Sequence, residues 1–122
     1  MHVAVGRSIW GVNKKHQIFK YLGSNKWKHI AGALTNIDVS DHDHVWGVNK
    51  QMNIWRWQGS KWEKLDGAAI QVSVGMAGVW VVNKANDIYH RLGTFGDKKG
   101  NGAKVRDFRF FSVNSSSMLI YY

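Results

Sequence analysis

Three short segments of this chain set aromatic rings beside basic side chains: Ile18–Phe19–Lys20–Tyr21, Ile54–Trp55–Arg56–Trp57 and Ile88–Tyr89–His90–Arg91. An aromatic ring can stack on the apolar C–H face of a sugar while nearby polar groups bind its hydroxyl or acidic substituents. In a strand, neighbouring side chains face opposite sides, so Trp55 and Trp57 share one face and Arg56 takes the other. The candidate ligand contacts are therefore Trp55, Arg56 and Trp57, with Lys20, Tyr21, Tyr89, His90 and Arg91 at the corresponding places. Lys50, in the turn preceding the second segment, is a candidate contact for an anionic group. The competing use of Trp55 and Trp57 is packing between neighbouring units.

Little else in the chain invites chemistry. Asp41–His42–Asp43–His44 is the one metal-like cluster. Aspartate and imidazole are good ligands, but four adjacent residues of one turn rarely converge on an ion, so a solvated turn is expected and no metal. There is no G-x-S-x-G elbow, phosphate-binding glycine loop or HExxH motif, and Glu63 is the only glutamate. The reading is a non-enzyme with no cofactor. The absence of cysteine removes disulfides and thiol catalysis.

The candidate residues are positioned by a repeat. IWGVNK at Ile9–Lys14 returns as VWGVNK at Val45–Lys50 and VWVVNK at Val79–Lys84, with Trp-to-Trp steps of 36 and 34 residues. A glycine occurs thirteen residues after each tryptophan, at Gly23, Gly59 and Gly93. A second tryptophan, Trp27 or Trp62, leads into an I/L-x-G step in two copies. Upstream lie VAVG, IDVS and VSVG. Each unit reads as four short strands with period-two alternation, separated by Gly, Asn, Asp and Ser. Units of this size with four strands suit the blades of a β-propeller, each stacking on the next. Trp10, Trp46 and Trp80, at strand centres, are expected in the core. Asn13, Asn49 and Asn83 are expected to cap turns through their side chains.

The motif V-x-V-G…[IV]-W-G-V-N-x-x-x-x-I-[YFW]-x-[RW]…G-x-x-W-x-x-[IL]-x-G, over residues 3–93, resembles the tectonin repeat of horseshoe-crab and fish-egg lectins. That resemblance implies an all-β chain, a propeller-type array of about three four-stranded blades with an irregular C-terminal tail. The divisions are blade 1 at about 3–36, blade 2 at about 37–71, an atypical blade 3 at about 72–113 and a tail at 114–122. The third unit lacks the second tryptophan and its I-x-G step. The resemblance also implies a secreted lectin binding glycans or bacterial lipopolysaccharide, in agglutination or innate defence. Relatives inside cells bind acidic membrane lipids, the alternative reading, with a cytoplasmic location or a protein partner. Three blades are half of a usual ring, so the chain either pairs with a second copy into a six-bladed ring or is a piece of a longer one.

Composition supports a folded, cation-rich domain. The chain has 122 residues, 44% hydrophobic, with a formal charge of +9. Residues 1–20 carry no hydrophobic run of a secretory leader, and no stretch is long and apolar enough for a membrane span. The charge divides as +6 over residues 1–36, −1 over 37–71 and +4 over 72–122. Such an excess concentrates acidic ligands near the surface. Nucleic acid shares that chemistry, but no nucleic-acid motif supports it.

Overall fold

The computed structural model describes residues 1–101 throughout, and the backbone strands alone within 106–113 and 116–121. Three antiparallel sheets succeed one another in sequence. The first comprises β1 (His2–Val5), β2 (Ile9–Val12), β3 (Ile18–Gly23) and β4 (Lys26–Ile30). The second comprises β5 (Asn36–Val39), β6 (Val45–Val48), β7 (Ile54–Trp57) and β8 (Trp62–Leu65). The third comprises β9 (Gln71–Gly75), β10 (Gly78–Val82), β11 (Asp87–Arg91), β12 (Arg106–Val113) and β13 (Ser116–Tyr121). Each sheet runs in chain order from its first strand to its last. This is the all-β repeat that the sequence periodicity demands, in a partial propeller, four-stranded in the first two units and five-stranded in the third. The stretch read as an irregular tail contributes the backbone strand β13, paired antiparallel with β12. Expectations for residues 102–105, 114, 115 and 122 lie outside the described residues.

Two cores lie between the sheets. In the first, Trp10, Val12, Ile18 and Ile30 of sheet 1 meet Ile37, Val39 and Val45 of sheet 2. In the second, Trp46, Val48, Ile54 and Leu65 of sheet 2 meet Val72, Val74, Val79 and Val81 of sheet 3. The middle sheet is therefore covered on both faces, and β6 is buried at all four positions. That is why its sequence reads as a continuous apolar VWGV rather than an alternating strand. Each such aliphatic side chain removed from water stabilises the fold by about 1.5–3 kcal/mol. The segments linking the sheets join these cores through Leu34 and Ala69. Each link is anchored by backbone: Leu34 N–H donates to His16 C=O, and Ala69 N–H to Met52 C=O.

The repeated asparagines act as expected. The Asn13 side-chain oxygen accepts from Lys15 and Gln17 N–H, that of Asn49 from Asn53, and that of Asn83 from Ala85 and Asp87. These bonds hold a turn whose third residue after the asparagine is left-handed, at His16, Met52 and Asn86. The close approach of the sheets is visible at Gly6. A Cβ there would stand 2.3 Å from the Val39 carbonyl oxygen, whereas at Gly75, its counterpart in the third sheet, nothing lies within 4 Å. Gly6 faces another sheet; among the described residues, Gly75 does not.

Candidate functional site: an aromatic cleft between the first two sheets

The face of sheet 1 that meets sheet 2 carries Trp10 on β2, with Lys20 opposite it on β3 and Lys28 opposite Lys20 on β4. Trp10 is 1% exposed. Against it stand two half-buried rings of sheet 2, Trp57 and Trp62. Their centroids lie 5.7 and 6.1 Å from that of Trp10, both edge-on, and 5.0 Å from each other. Edge-to-face pairs at such distances add about 0.5–1.5 kcal/mol beyond burial. The indole N–H of Trp62 donates to the Ala31 carbonyl at 3.0 Å, and that of Trp10 to the Ser8 hydroxyl at 2.9 Å. The Lys20 ammonium sits 5.7 Å from the Trp10 ring centroid, a cation–π contact.

Outside this cluster the two sheets part into a cleft of about 610 Å³, walled by Trp57, Trp62, Lys28, Lys61, Ser60 and neighbouring backbone. Its lining pairs aromatic surface with two ammonium groups and a hydroxyl, and holds no carboxylate among the described residues. Such a surface can stack a pyranose ring and bind its oxygen substituents. Trp55, on the same face as Trp57, turns inward. It packs on the first core, beside a cavity of about 70 Å³, with its indole N–H buried and without a hydrogen-bond partner.

The other expected contacts go elsewhere. Arg56 faces sheet 3, paired with Glu63 at 3.1 Å and donating to the Asp97 carbonyl at 3.1 Å. Tyr89 packs on the second core. Arg91 is 0% exposed; its guanidinium lies 5.7 Å over Trp46, 2.7 Å from the Asp66 carboxylate, and also donates to the Asp66 and Lys99 carbonyls. Tyr21 and His90 lie on the outer faces of the end sheets. Tyr21 packs on Trp27 at 5.0 Å, and its hydroxyl accepts from Asn25 N–H. His90 stacks on Trp80 at 4.2 Å. Lys50 is an exposed turn residue. Of the nine expected contacts, the structure thus places only Trp57 in the cleft lining, with Lys20 beside it over Trp10 and across from Lys28, and Trp55 behind it.

Trp80 departs from the core placement expected of it. Trp10 and Trp46 are buried, but Trp80 is only partly so. The residue occupies the same strand position; it lacks, among the described residues, a further sheet packed against it. The Asp-His turn is structural on one side, where the Ser8 hydroxyl donates to Asp43. The Ser40 hydroxyl oxygen accepts His42 and His44 N–H. No cluster of three metal-ligating side chains exists among the described residues.

Sequence reading missed Lys28, Lys61 and Trp62 as site residues. Trp62 was visible as a repeated aromatic. The two lysines carry no pattern of their own and reach the cleft only because sheet 1 packs against sheet 2.

Stacked antiparallel sheets of four or five strands, with the strand-centre tryptophans of the first two buried, define a propeller-type repeat protein. The tectonin domain family matches residues 1–59 and 44–100, and the chain belongs to that family. It is 39% identical over 65 residues to Tectonin-2 of Physarum polycephalum, covering 52% of this chain and 18% of that protein. It is 53% identical over 32 residues to the Perivitellin-2 31 kDa subunit of Pomacea maculata, covering 26% of this chain and 11% of the subunit. The chain thus spans under a fifth of either relative.

Proposed function

We propose that the protein is a carbohydrate-binding lectin whose site is the cleft between sheets 1 and 2. The observation that carries this reading is the exposed part of the Trp57–Trp62 pair beside Lys28 and Lys61. The rings supply a stacking platform, and the lysines supply donors to sugar oxygens. Microbial surface glycans such as lipopolysaccharide, rich in sugars and acidic groups, fit that lining, and a role in innate defence outside the cell agrees with such a ligand. Glycan-array binding and lipopolysaccharide pull-down test it. Trp57→Ala, with the fold intact by circular dichroism, should lose most of the retained signal. A folded wild-type chain that binds no glycan would end this reading.

A second reading rests on the +6 charge of residues 1–36. It makes the protein a cytoplasmic module docking on acidic lipid surfaces. Binding to phosphatidylserine vesicles that collapses between low and physiological salt, without glycan binding, would select it.

The outer face of sheet 1 exposes Val3, Val5 and Trp27. We propose that a second copy of the chain covers it, completing a six-bladed ring. Sedimentation should then give a mass of two chains rather than one.

A further inference from the structure

The same cross-strand position is filled in opposite ways in the first two sheets. On sheet 2, Arg56 of β7 stands opposite Glu63 of β8, and the two form an ion pair at 3.1 Å. On sheet 1, Lys20 of β3 stands opposite Lys28 of β4. Like charges directly opposite in an antiparallel pair repel. No acidic residue occurs among residues 1–36 to relieve them.

The space in front of these pairs differs in the same sense. Facing Arg56, the Thr94–Asp97 loop of the third unit folds into the gap between sheets 2 and 3. The Gly96 carbonyl accepts from the Trp46 indole at 2.9 Å, and the Asp97 carbonyl accepts from Arg56 at 3.1 Å. This loop replaces the turn that leads from Gly23 to Trp27 and from Gly59 to Trp62 in the earlier units, so the irregularity of the third repeat has a consequence: the chain supplies its own oxygen acceptors to the cation of sheet 2. In front of sheet 1, the corresponding gap is the open cleft beside Trp57 and Trp62. Lys28 is exposed there, and Lys61 adds a third ammonium from the opposite wall.

We propose that the first cleft carries an anion subsite, formed by Lys28 and Lys20 with Lys61, which takes the carboxylate or phosphate of an acidic sugar stacked on the Trp57–Trp62 platform. The gap between sheets 2 and 3 takes no such ligand, because Glu63 neutralises its cation and the 94–97 loop fills it. The proposal deepens the lectin reading and rests on it. A bound anion would relieve the Lys20–Lys28 repulsion as Glu63 relieves the charge of Arg56.

The test measures binding of the purified chain to surfaces carrying a neutral hexose, a hexuronate or a hexose phosphate at equal density. Hydrogen bonds to charged groups predict that the wild type prefers an acidic sugar by about tenfold or more at low salt. The carboxylate and phosphate arms identify which anion is favoured. Lys28→Glu rebuilds the arrangement of sheet 2 on sheet 1 and should bring the acidic-to-neutral ratio to about one or below, with an unfolding midpoint at or above that of the wild type. Lys28→Met removes the charge alone and should lower the ratio less. Lys84→Glu makes the same charge change on a turn of the third sheet and should leave the ratio high. Neutral and acidic sugars bound equally by the wild type, or a preference that survives both Lys28 substitutions, would overturn the subsite while leaving the lectin reading standing. No binding to any of the three surfaces would overturn both.

Discussion

At the first seam Trp10 is closed over by the edges of two indole rings; at the second, Trp46 is closed over by a guanidinium and a backbone carbonyl. The two tryptophans begin from the same repeated strand, yet their partners come from different chemistry. The residue corresponding to Trp57 in the third unit is Arg91, and the third sequence repeat has no second tryptophan to match Trp62. Arg91 sets its guanidinium over the Trp46 ring, and its donors are satisfied by Asp66 and the Lys99 carbonyl, which allows a cation to be buried. An aromatic seam keeps its outer rim open, because two rings cannot fill the gap between diverging sheets. The clamped seam closes its rim with the 94–97 loop. A repeat can therefore keep one packing solution while leaving one seam open and closing another.

The largest expected effect separates tryptophans inside the array from the one at its end. Trp46→Ala should cost about 3–5 kcal/mol, the range for truncating a buried aromatic. Trp80→Ala, at a partly exposed face, should cost less than half as much. Urea unfolding of both variants checks this, and equal midpoints would contradict the difference between interior and end.

Next comes the clamp. Arg91→Ala should destabilise by about 3 kcal/mol, since it empties a buried position and strands the acceptors it served. Asp66→Ala should cost about 1 kcal/mol or less, because its side chain is 61% exposed and water can replace it. If the two losses matched, the ion pair rather than the filled position would be holding the seam.

Gly6→Ala drives a methyl group against the Val39 carbonyl and should cost about 1–3 kcal/mol. Gly75→Ala meets open space and should stay within about 0.5 kcal/mol of wild type. Thermal melts of the pair sharpen the contrast between a strand end facing another sheet and one that does not.

The smallest effect is pH-dependent and confined to the second seam. The Phe95 backbone N–H, donating to the Asp97 carboxylate, holds that group below the usual aspartate range. A carboxyl depressed in the folded state stabilises fully above the unfolded aspartate value and loses that contribution as pH falls through the lower folded value. Below about pH 4 the 94–97 loop should loosen first. Amide exchange at Phe95 should rise there before that of Val12 in the first seam. Simultaneous loss of protection would mean the loop has no such dependence.

Much of the fold was legible because its causes are local. The Trp and Asn repeats set strand centres and turns within single units, and Asn13, Asn49 and Asn83 perform their capping with residues no more than four places away. Burial of Trp10 and Trp46 was read from their repeated strand position, and the next sheet packed on each supplies it. The exposure of Trp80 was not, since burial at that position requires another sheet packed against the third. The cleft was half legible: Trp57 announced itself by type and by alternation, whereas Lys28 on β4 and Lys61 in the turn before β8 are brought together only by sheet packing.

By itself, the sequence determined the four-stranded unit, its turns and the face on which each side chain lies, because period-two alternation and short-range hydrogen bonds are properties of neighbouring residues. Only the tertiary structure decided that Arg91 is buried while Lys28 borders an open cleft. Both are cations at repeat positions. Their difference arises from the groups that the next sheet and the 94–97 loop place against them, and that contact is made between residues far apart in the chain.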